Sequence, residues 1–235
     1  MTSLIELRWP SLEDLDELAS CGAEGVHDPE YMPFFSRWTD GEDSQVAHRV
    51  MQRHWSALGA WKPDDWTLYL AVVHEGRVVG SQSIGGRDFA VNREVVLTSW
   101  LGRRFQGQGI GGHARAAAMH LAFEGLQAEH ALTVVMRDNQ PSQGVCRKFG
   151  FVHDGIQHNQ VRGRRIVSDR WRLNREQFHE NNVIPVKLDG VEPALEMFGL
   201  AGGTGQPATS GPALPPTANA LAGVQFAAES DSPED

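Results

Sequence analysis

The chain is poor in cysteine, has no long apolar run and carries no excess of basic residues. Cys21 and Cys146 are the only cysteines among 235 residues, and they do not form a CxxC pair. This excludes a disulfide framework and a CxxC zinc site, and it favours a reducing compartment. No stretch approaches the ~18 apolar residues of a membrane-spanning helix, and the first ten residues do not resemble a signal peptide. We therefore expect a soluble, cytoplasmic protein with no membrane partner.

Charge and histidine spacing argue against two further classes of partner. Thirty Asp and Glu outnumber 21 Lys and Arg, for a formal charge of −9, whereas nonspecific binding to nucleic acid requires a basic surface. The ten histidines form no HxxxH or HExxH motif, and His113 and His120 are predicted only to share a helix face. We expect neither nucleic acid nor a metal ion as a partner.

The last 35 residues differ in composition from the rest. Residues 201–235 contain no Lys or Arg, four carboxylates, and 18 Gly, Pro or Ala, without helical or strand periodicity. Such a segment buries too little apolar surface to offset its ordering entropy, so we predict a disordered, acidic tail. The alternative is a short docking element built on Leu221, Val224 and Phe226.

The order of elements before this tail predicts an α/β fold with a mixed sheet. Apolar periodicity predicts, in order, a strand over 4–8, a helix from Ser11, a helix over 42–58, a hairpin of 67–74 and 78–84, a strand over 93–101, a helix over 110–126, a strand over 132–136, a helix over 142–149 and two strands within 151–173. We predict one domain over 1–180, followed by a C-terminal extension over 181–200.

A glycine-rich loop between a strand and a helix is the most informative segment. Gly107, Gly109 and Gly112 allow backbone N–H groups to approach a phosphate, and the following helix N-terminus favours an anion. Arg104, three residues before Gly107, adds a cation and gives Arg-x-x-Gly-x-Gly. The loop predicts a binding site for a pyrophosphate.

A dinucleotide-binding fold is the alternative interpretation of this loop. Gly107, Gly109 and Gly112 also satisfy GxGxxG, with Asp138 as the candidate ribose ligand. However, Asp138 lies 26 positions beyond Gly112, more than the usual ~20, and the chain lacks further βαβ units for a doubly wound sheet. The pyrophosphate loop of another cofactor is therefore preferred.

Two ordered motifs resemble the GNAT superfamily of acyl-CoA-dependent N-acyltransferases. The Arg104-x-x-Gly107-x-Gly109 loop is followed by Asn139-Gln140-Pro141-Ser142 and Lys148-Phe149-Gly150-Phe151, similar to the Asn-x-x-Ser…Lys-x-Gly-Phe/Tyr segment of the ribosomal-protein acetyltransferase-like (RimJ/RimL) branch. The resemblance implies a mostly antiparallel twisted sheet flanked by helices, with a splayed pair of parallel central strands binding acyl-CoA.

The resemblance also implies which residues bind the acyl donor, acetyl-CoA or succinyl-CoA. They lie in two segments. The first comprises the end of the fourth strand, the pyrophosphate loop and the start of the next helix: Ser99, Trp100, Leu101, Arg104, Gln106, Gly107, Gln108, Gly109, Ile110 and Gly111. The second is the Asn-x-x-Ser…Lys segment, with Asn139, Ser142 and Lys148. Lys148 and its neighbour Arg147 are expected near the nucleotide phosphate, with a solvated helix face as the alternative.

On the sulfur side of the reaction the chain departs from many GNAT enzymes. The family's usual tyrosine is replaced by Cys146. We predict Ser142 as the proton donor to the leaving sulfur, with helix N-capping as its alternative role. Cys146 is expected to be a packing residue rather than a covalent nucleophile, since no histidine partner accompanies it.

The amine acceptor needs a base, because an amine is protonated at neutral pH. The RimL-like pattern puts a glutamate where this chain has Val96. Glu94 lies on the same strand face and is our candidate base, with an exposed strand-end carboxylate as the alternative. Asp88 and Glu75 are further candidates that fit turn positions better.

Aromatic residues between the first two helices predict the acceptor pocket. Tyr31, Phe34, Phe35 and Trp38 would bind the acceptor together with a hairpin near Arg162, or else form a hydrophobic layer under a loop.

These observations predict an N-acyltransferase that moves an acetyl group from acyl-CoA to a primary amine of a small molecule, a peptide or a protein N-terminus in a ternary complex. A succinyl or longer acyl group stays open, with Arg164 or Arg165 as its carboxylate ligand. The alternative is a CoA-binding sensor or scaffold without catalysis. Apolar strand edges near 166–173 suggest a homodimer.

Overall fold

The computed structural model describes residues 4–181 and 184–200. The predicted disordered tail, including the docking element at Leu221, Val224 and Phe226, lies outside these residues. None of the described helices is long and apolar enough to cross a membrane.

The described residues form seven strands and six α-helices. The strands are β1 (Ile5–Arg8), β2 (Asp65–His74), β3 (Arg77–Arg87), β4 (Glu94–Leu101), β5 (His130–Met136), β6 (Val152–Val161) and β7 (Arg164–Asn174). The helices are α1 (Leu12–Ala23), α2 (Asp43–Gly59), α3 (Phe89–Asn92), α4 (Ile110–His120), α5 (Gln140–Lys148) and α6 (Arg175–Asn181). One π-helical turn, Leu121–Gly125, prolongs α4, and a 3₁₀ turn, Glu192–Phe198, follows α6.

All seven strands form one sheet in the order β1-β2-β3-β4-β5-β7-β6. Only β4 and β5 are parallel, and every other neighbouring pair is antiparallel. This confirms the predicted mixed, mostly antiparallel α/β fold. The dinucleotide-binding alternative is wrong, because that fold needs a doubly wound and mostly parallel sheet.

The two parallel strands diverge soon after they begin. Backbone pairing between β4 and β5 covers only Glu94↔His130, Val95↔Ala131 and Val96↔Leu132. Beyond Val96, β4 pairs only with β3, and β5 only with β7. The sheet therefore contains a fork whose facing strand edges carry unpaired backbone groups, which a ligand can pair with.

Apolar side chains cover both faces of the sheet. On one face, α4 and α6 bury Met119, Phe123 and Phe178 against Leu97 of β4. On the other face, α1 and α2 pack through apolar positions that recur at helical spacing, including Leu15, Leu18, Val46 and Val50. The fork thus lies between two helical layers.

Helix α1 begins where the sequence predicts, at Ser11. The Ser11 hydroxyl accepts a hydrogen bond from the Asp14 N–H (3.1 Å), and the Asp14 carboxylate accepts one from the Ser11 N–H (3.0 Å). Arg8 of β1 donates to the same carboxylate at 2.7 Å. The capping box satisfies N–H donors at the start of α1. The contact between Arg8 and Asp14 links the helix to the edge strand β1.

The segment after α6 returns to the core. Phe198 is buried, with ring centroids 5.3 Å from Trp61 and 4.8 Å from Trp66. The indole N–H of Trp61 donates to the carbonyl of Met197 at 2.8 Å. The described part of the predicted extension, residues 184–200, therefore contributes side chains to the same core as the domain before it.

The strand proposed as a dimer edge is internal. Residues 168–172 of β7 pair with β5 on one side and with β6 on the other, so this part of the strand presents no free edge. The outer strands are β1 and β6. A homodimer stays a prediction, without the support of that edge.

Candidate active site

The glycine-rich loop starts where β4 ends and leads into α4. Gly107 and Gly109 have φ of 72° and 78°, in the left-handed region that favours glycine, and Gly109 is the N-cap of α4. The N–H groups of Ile110 and Gly111 lie in the first helical turn, where no intrahelical acceptor exists. The loop therefore offers backbone donors and a helix N-terminus to an anion.

Two predicted cofactor residues hold the loop in place. The Gln106 side-chain amide donates to the carbonyls of Val26 (2.8 Å) and Leu101 (3.0 Å), which ties the α1–α2 connection to the end of β4. The Gln108 amide donates to the Arg104 carbonyl at 2.9 Å. These side chains stabilise the loop, and their predicted contact with a cofactor stays a prediction.

Cations lie on both sides of the loop. Arg104 pairs with Glu24 at 2.9 Å and lies 4.7 Å from the Phe105 ring centroid. Lys148 of α5 brings its Nζ to 3.9 Å from where a Cβ on Gly112 would stand. Both charges are exposed, so an anion at the loop would have them within reach, with Arg104 exchanging one anionic partner for another.

Ser142 lies in the first turn of α5 but does not cap it. The cap is Asn139, whose side-chain oxygen accepts from the Ser142 N–H at 3.2 Å. The N-capping alternative for Ser142 is therefore wrong. Ser142 is 1% exposed, and its buried hydroxyl has no hydrogen-bond partner within the described part of the chain. A buried hydroxyl without a partner is costly, which suits a position that binds a polar group of a ligand.

Cys146 is a packing residue in this fold. It is 1% exposed within the apolar cluster between α4, α5 and the sheet, and burial raises the pKa of its thiol to about 12. A thiol with that pKa is not a nucleophile at neutral pH. Its neighbour Arg115 on α4 is fully buried, and burial lowers the pKa of its guanidinium to about 9. Arg115 was not predicted from the sequence, although it is the one Lys, Arg, Asp or Glu on α4.

Glu94 is engaged in an ion pair. Its carboxylate accepts from the Nη1 of Arg172 on β7, and the Arg172 Nε also donates to Asp154 at 3.0 Å. Glu94 is the first residue of β4, in the part that is paired with β5 rather than in the fork. Asp88 and Glu75 occupy left-handed turn positions, φ 48° and 50°.

The four predicted acceptor aromatics lie in three different places. Phe34 and Trp38 are buried and line a pocket together with Trp100, with centroids of 5.0 Å between the first two rings and 5.2 Å between the tryptophans. Phe35 is partly buried and packs against the apolar cluster that α1 and α2 form on the sheet. Tyr31 points elsewhere, its hydroxyl donating to Asp138 at 3.5 Å beside the start of α5.

The pocket behind Phe34 and Trp38 contains polar residues that the sequence analysis did not identify. They come from α2 and from the middle strands of the sheet: Arg49, Arg53, His54, Tyr69, Ser81, Ser83, Thr98 and Ser99. Burial, followed by the charge of Arg53, lowers the pKa of His54 to about 4. The only available signal was that these polar positions interrupt otherwise apolar helix and strand faces.

A second and larger pocket lies beside the α1–α2 connection. Its volume is about 540 Å³, and Arg162 at the tip of the β6–β7 hairpin forms part of its wall. Arg162 donates to Asp40 at 2.5 Å and to the Pro29 carbonyl at 3.5 Å. The structure therefore brings the hairpin against the α1–α2 connection, the two segments predicted to surround the acceptor.

Metal binding finds no support in the described residues. Between residues 4 and 200, leaving out 182 and 183, no group of three or more His, Cys, Asp or Glu is placed to hold an ion.

Known proteins share this architecture. The model of the "Acetyltransferase (GNAT) domain" family matches residues 5–152. Among solved structures, RimJ of Mycobacterium smegmatis, in complex with CoA-disulfide, is 18% identical with a TM-score of 0.60, covering 74% of this chain and 83% of that one. A ribosomal-protein-serine acetyltransferase structure from Vibrio cholerae is 20% identical with a TM-score of 0.55, covering 74% and 95%.

A third similar structure is the microcin C7 self-immunity acetyltransferase MccE in complex with acetyl-CoA and AMP. It is 18% identical with a TM-score of 0.55, covering 72% of this chain and 92% of that one. At such identities the structures show a shared fold, while the family model covers more than half of the chain. The chain therefore belongs to the GNAT acetyltransferase domain family, and it is an enzyme of the N-acetyltransferase class.

Proposed function

We propose that this protein transfers an acetyl group from acetyl-CoA to a primary amine of a small molecule, a peptide or a protein N-terminus, by direct attack in a ternary complex. The observation that carries the proposal is the β4–β5 fork, which opens beside the left-handed glycine loop and the buried Ser142 hydroxyl. The open edge of β4 suits the pantetheine arm of an acyl-CoA, and the glycine loop suits its pyrophosphate. The Ser142 hydroxyl, which has no partner among the described residues, suits its thioester.

The residues that would hold acyl-CoA are distributed around this fork. Backbone groups of Ser99 to Leu101 would pair with the pantetheine, and the Gly107–Gly111 backbone with Arg104 would hold the pyrophosphate, while Lys148 would reach a nucleotide phosphate. When bound, the thioester supplies an activated acyl carbon and a thiolate leaving group. The protein's own contribution is to align amine and thioester, which is a large part of the acceleration.

Ser142 is the proposed proton donor to the departing sulfur. Two facts support it: the hydroxyl is buried without a partner, and Asn139 rather than Ser142 caps α5. A hydroxyl at that position would protonate the sulfur as the carbon–sulfur bond breaks and the new carbon–nitrogen bond forms.

Glu94 remains the proposed base, acting through a water. Its ion pair with Arg172 orients the carboxylate. The acceptor that asks least of such a base is an amine that is already partly neutral at neutral pH, such as a peptide α-amine.

A CoA-binding sensor or scaffold is the second candidate. Val96 stands where the family's glutamate is expected, and Glu94 is committed to an ion pair. Such a protein would bind CoA without releasing thiol above background.

The proposal also covers the acyl donor and the location of the protein in the cell. Succinyl-CoA stays an alternative donor, with Arg164 or Arg165 as carboxylate ligand; the Arg165 guanidinium is 2.7 Å from His158 Nε2. The scarcity of cysteine supports a cytoplasmic location.

Mass spectrometry of amine mixtures incubated with acetyl-CoA or succinyl-CoA tests the function. We expect acylated amine with at least one donor, together with stoichiometric release of thiol. CoA binding by calorimetry with no transfer from either donor would favour the scaffold, and no CoA binding would refute both candidates.

A further inference from the structure

Two buried hydroxyl groups have no hydrogen-bond partner within the described part of the chain. One belongs to Ser142 on α5, and the other belongs to Thr133 on β5, which is 1% exposed. Only Ser142 takes part in the acyl transfer proposed above. A buried hydroxyl without a partner lowers stability, and a polar group of a bound ligand can supply the missing hydrogen bond.

Thr133 is the first residue of β5 inside the fork. Pairing between β4 and β5 ends at Val96↔Leu132, one residue before Thr133. Side chains alternate along a strand, and Ala131 and Val135 belong to the apolar cluster on the α4 face of the sheet, so the Thr133 side chain lies on that face. Its hydroxyl is therefore at the closed end of the fork.

An acyl-CoA bound in the fork would carry its thioester at this closed end. The glycine-rich loop follows the end of β4 at Leu101, so a pyrophosphate held there starts the pantetheine arm at the open end of the fork. An arm that runs along β4 toward Val96 brings its thioester to the closed end. Two hydroxyls in this region can serve two different atoms of the thioester, the sulfur and the carbonyl oxygen.

A third buried oxygen near the fork also lacks a partner among the described residues, but its chemistry differs. It is the side-chain carbonyl oxygen of Gln82 on β3, and the amide nitrogen of Gln82 already donates to the carbonyls of Thr98 (2.7 Å) and Ser83 (2.9 Å). An amide oxygen only accepts hydrogen bonds, whereas a hydroxyl also donates. Of these two groups, only the Thr133 hydroxyl can stabilise an oxygen that gains negative charge.

The surroundings of Thr133 favour a strong hydrogen bond. Leu97, Ala131 and Val135 are each 0% exposed, and Thr133 itself is paired with Trp171 of β7. A donor that is held by a paired strand in an apolar, water-excluded site is oriented before the reaction begins, and its electrostatic effect there is larger than in water.

We propose that Thr133 is a further catalytic residue, whose hydroxyl donates a hydrogen bond to the carbonyl oxygen of the bound thioester. The proposal rests on the proposed acyl transfer and adds a residue to it. As the amine nitrogen bonds to the acyl carbon and gives its proton to the base, an electron pair of the carbonyl moves onto the oxygen, where the hydroxyl stabilises it. The pair then re-forms the carbonyl, and the carbon–sulfur bond breaks with its electrons on the sulfur that Ser142 protonates.

Thr133→Val tests the role, because it removes the hydroxyl and keeps the shape of the side chain. With acetyl-CoA and an amine found by the mass-spectrometric screen, we expect kcat to fall about 100-fold, as for the loss of one donor to a charged oxygen. The Kd for acetyl-CoA should change by less than about threefold, since the bond strengthens only as charge develops. Thr133→Ser keeps the hydroxyl and should retain kcat within about threefold.

The matched control is Thr67→Val, a half-buried threonine on β2 outside the fork, which should change neither kcat nor Kd. A loss of kcat in Thr133→Ser as large as in Thr133→Val would show that the shape of the side chain, not its hydroxyl, matters. That result would overturn the proposal, and so would a kcat in Thr133→Val within about threefold of the wild type. Both would leave acyl transfer intact.

Infrared spectroscopy of bound acetyl-CoA, isotope-labelled at its carbonyl and without any amine, gives a readout that does not depend on transfer. A hydrogen bond to the carbonyl lowers its stretching frequency, so we expect a higher frequency in Thr133→Val than in the wild type. Thr67→Val and Ser142→Ala should match the wild type. Equal frequencies in Thr133→Val and the wild type would refute the contact. The expected difference without transfer to any amine would retain the contact and refute the proposed function.

Discussion

At the scale of the residue, Ser142 and Ser168 form a natural pair for comparison. Both are buried serines, but the Ser142 hydroxyl has no partner within the described chain, whereas Ser168 accepts a hydrogen bond from the Asn159 side chain at 3.2 Å. A buried hydroxyl without a partner lowers stability, and a polar group of a bound ligand could satisfy it, which is the basis of the role proposed for Ser142.

We predict that Ser142→Ala lowers kcat by about 100-fold, because the leaving sulfur loses its proton donor, with KM for acyl-CoA changed by less than about threefold. Its stability in urea should be unchanged or raised, since an unsatisfied hydroxyl is removed. Ser168→Ala should do the reverse, losing about 1 kcal/mol of stability with kcat intact. An unchanged kcat in Ser142→Ala would contradict its role as donor.

Asp14 makes a second residue-scale prediction, on stability and pH. The hydrogen bond from Arg8 keeps the pKa of Asp14 below its ordinary value, so the carboxylate stabilises the fold above the unfolded-state pKa near 4 and this contribution is lost as pH falls through the folded-state value. Asp14→Ala should lower the free energy of unfolding by about 1–2 kcal/mol at pH 7, a difference that narrows below about pH 4.

The control is Asp16→Ala, an exposed carboxylate on the same helix. Urea unfolding at pH 7 and at pH 3 should show less than about 0.5 kcal/mol of change for this variant. A difference between wild type and Asp14→Ala that persists unchanged at the lower pH would show that packing, not charge, accounts for the Asp14 effect.

At the scale of the element, the glycine loop and helix α4 act as one unit. The left-handed Gly109 turns the chain so that the first N–H groups of α4 are presented at the end of β4, where Gln106 anchors the loop. Neither the helix nor the loop alone forms an anion site of this shape. We therefore expect replacement of Gly109 to weaken CoA binding.

We predict that Gly109→Leu abolishes CoA binding measured by calorimetry, because a side chain at a left-handed N-cap distorts the donors and obstructs the anion. The matched control is Gly76→Leu in the β2–β3 hairpin, with nearly the same φ (77° against 78°) and equally open space around it. Both variants should lose roughly 1–2 kcal/mol of stability. CoA binding equally weak, or equally intact, in both variants would show that the loop does not hold the pyrophosphate.

At the scale of the whole molecule, the C-terminal segment 184–200 is part of the core. Phe198 is 6% exposed between Trp61 and Trp66, while its neighbour Met197 is 49% exposed. We predict that Phe198→Ala lowers the free energy of unfolding by about 3 kcal/mol, as expected for a buried aromatic. Met197→Ala should cost less than about 1 kcal/mol in the same urea titration. Equal losses in the free energy of unfolding for the two variants would mean that residues 184–200 do not pack firmly on the core.

Local patterns in the sequence predicted most elements and the glycine-rich loop. The period of apolar residues is a property of neighbours in the chain, so the strands, α1, α2, α4 and α5 were found close to their observed positions. The short helices α3 and α6 were missed, because helices of four and seven residues are too short to show a clear apolar period. The glycine loop was found because a left-handed backbone selects a residue type directly.

What the sequence determined by itself was therefore the order of the elements, the α/β class, the glycine-rich loop before α4 and the family. Contacts between distant residues decided the rest: the pairing of Glu94 with Arg172, the position of β7 inside the sheet, and the assembly of Arg49 and Arg53 with Thr98 into one pocket. The physical reason is that backbone preferences act over a few residues, whereas charge, burial and access depend on which segments the packed sheet brings together.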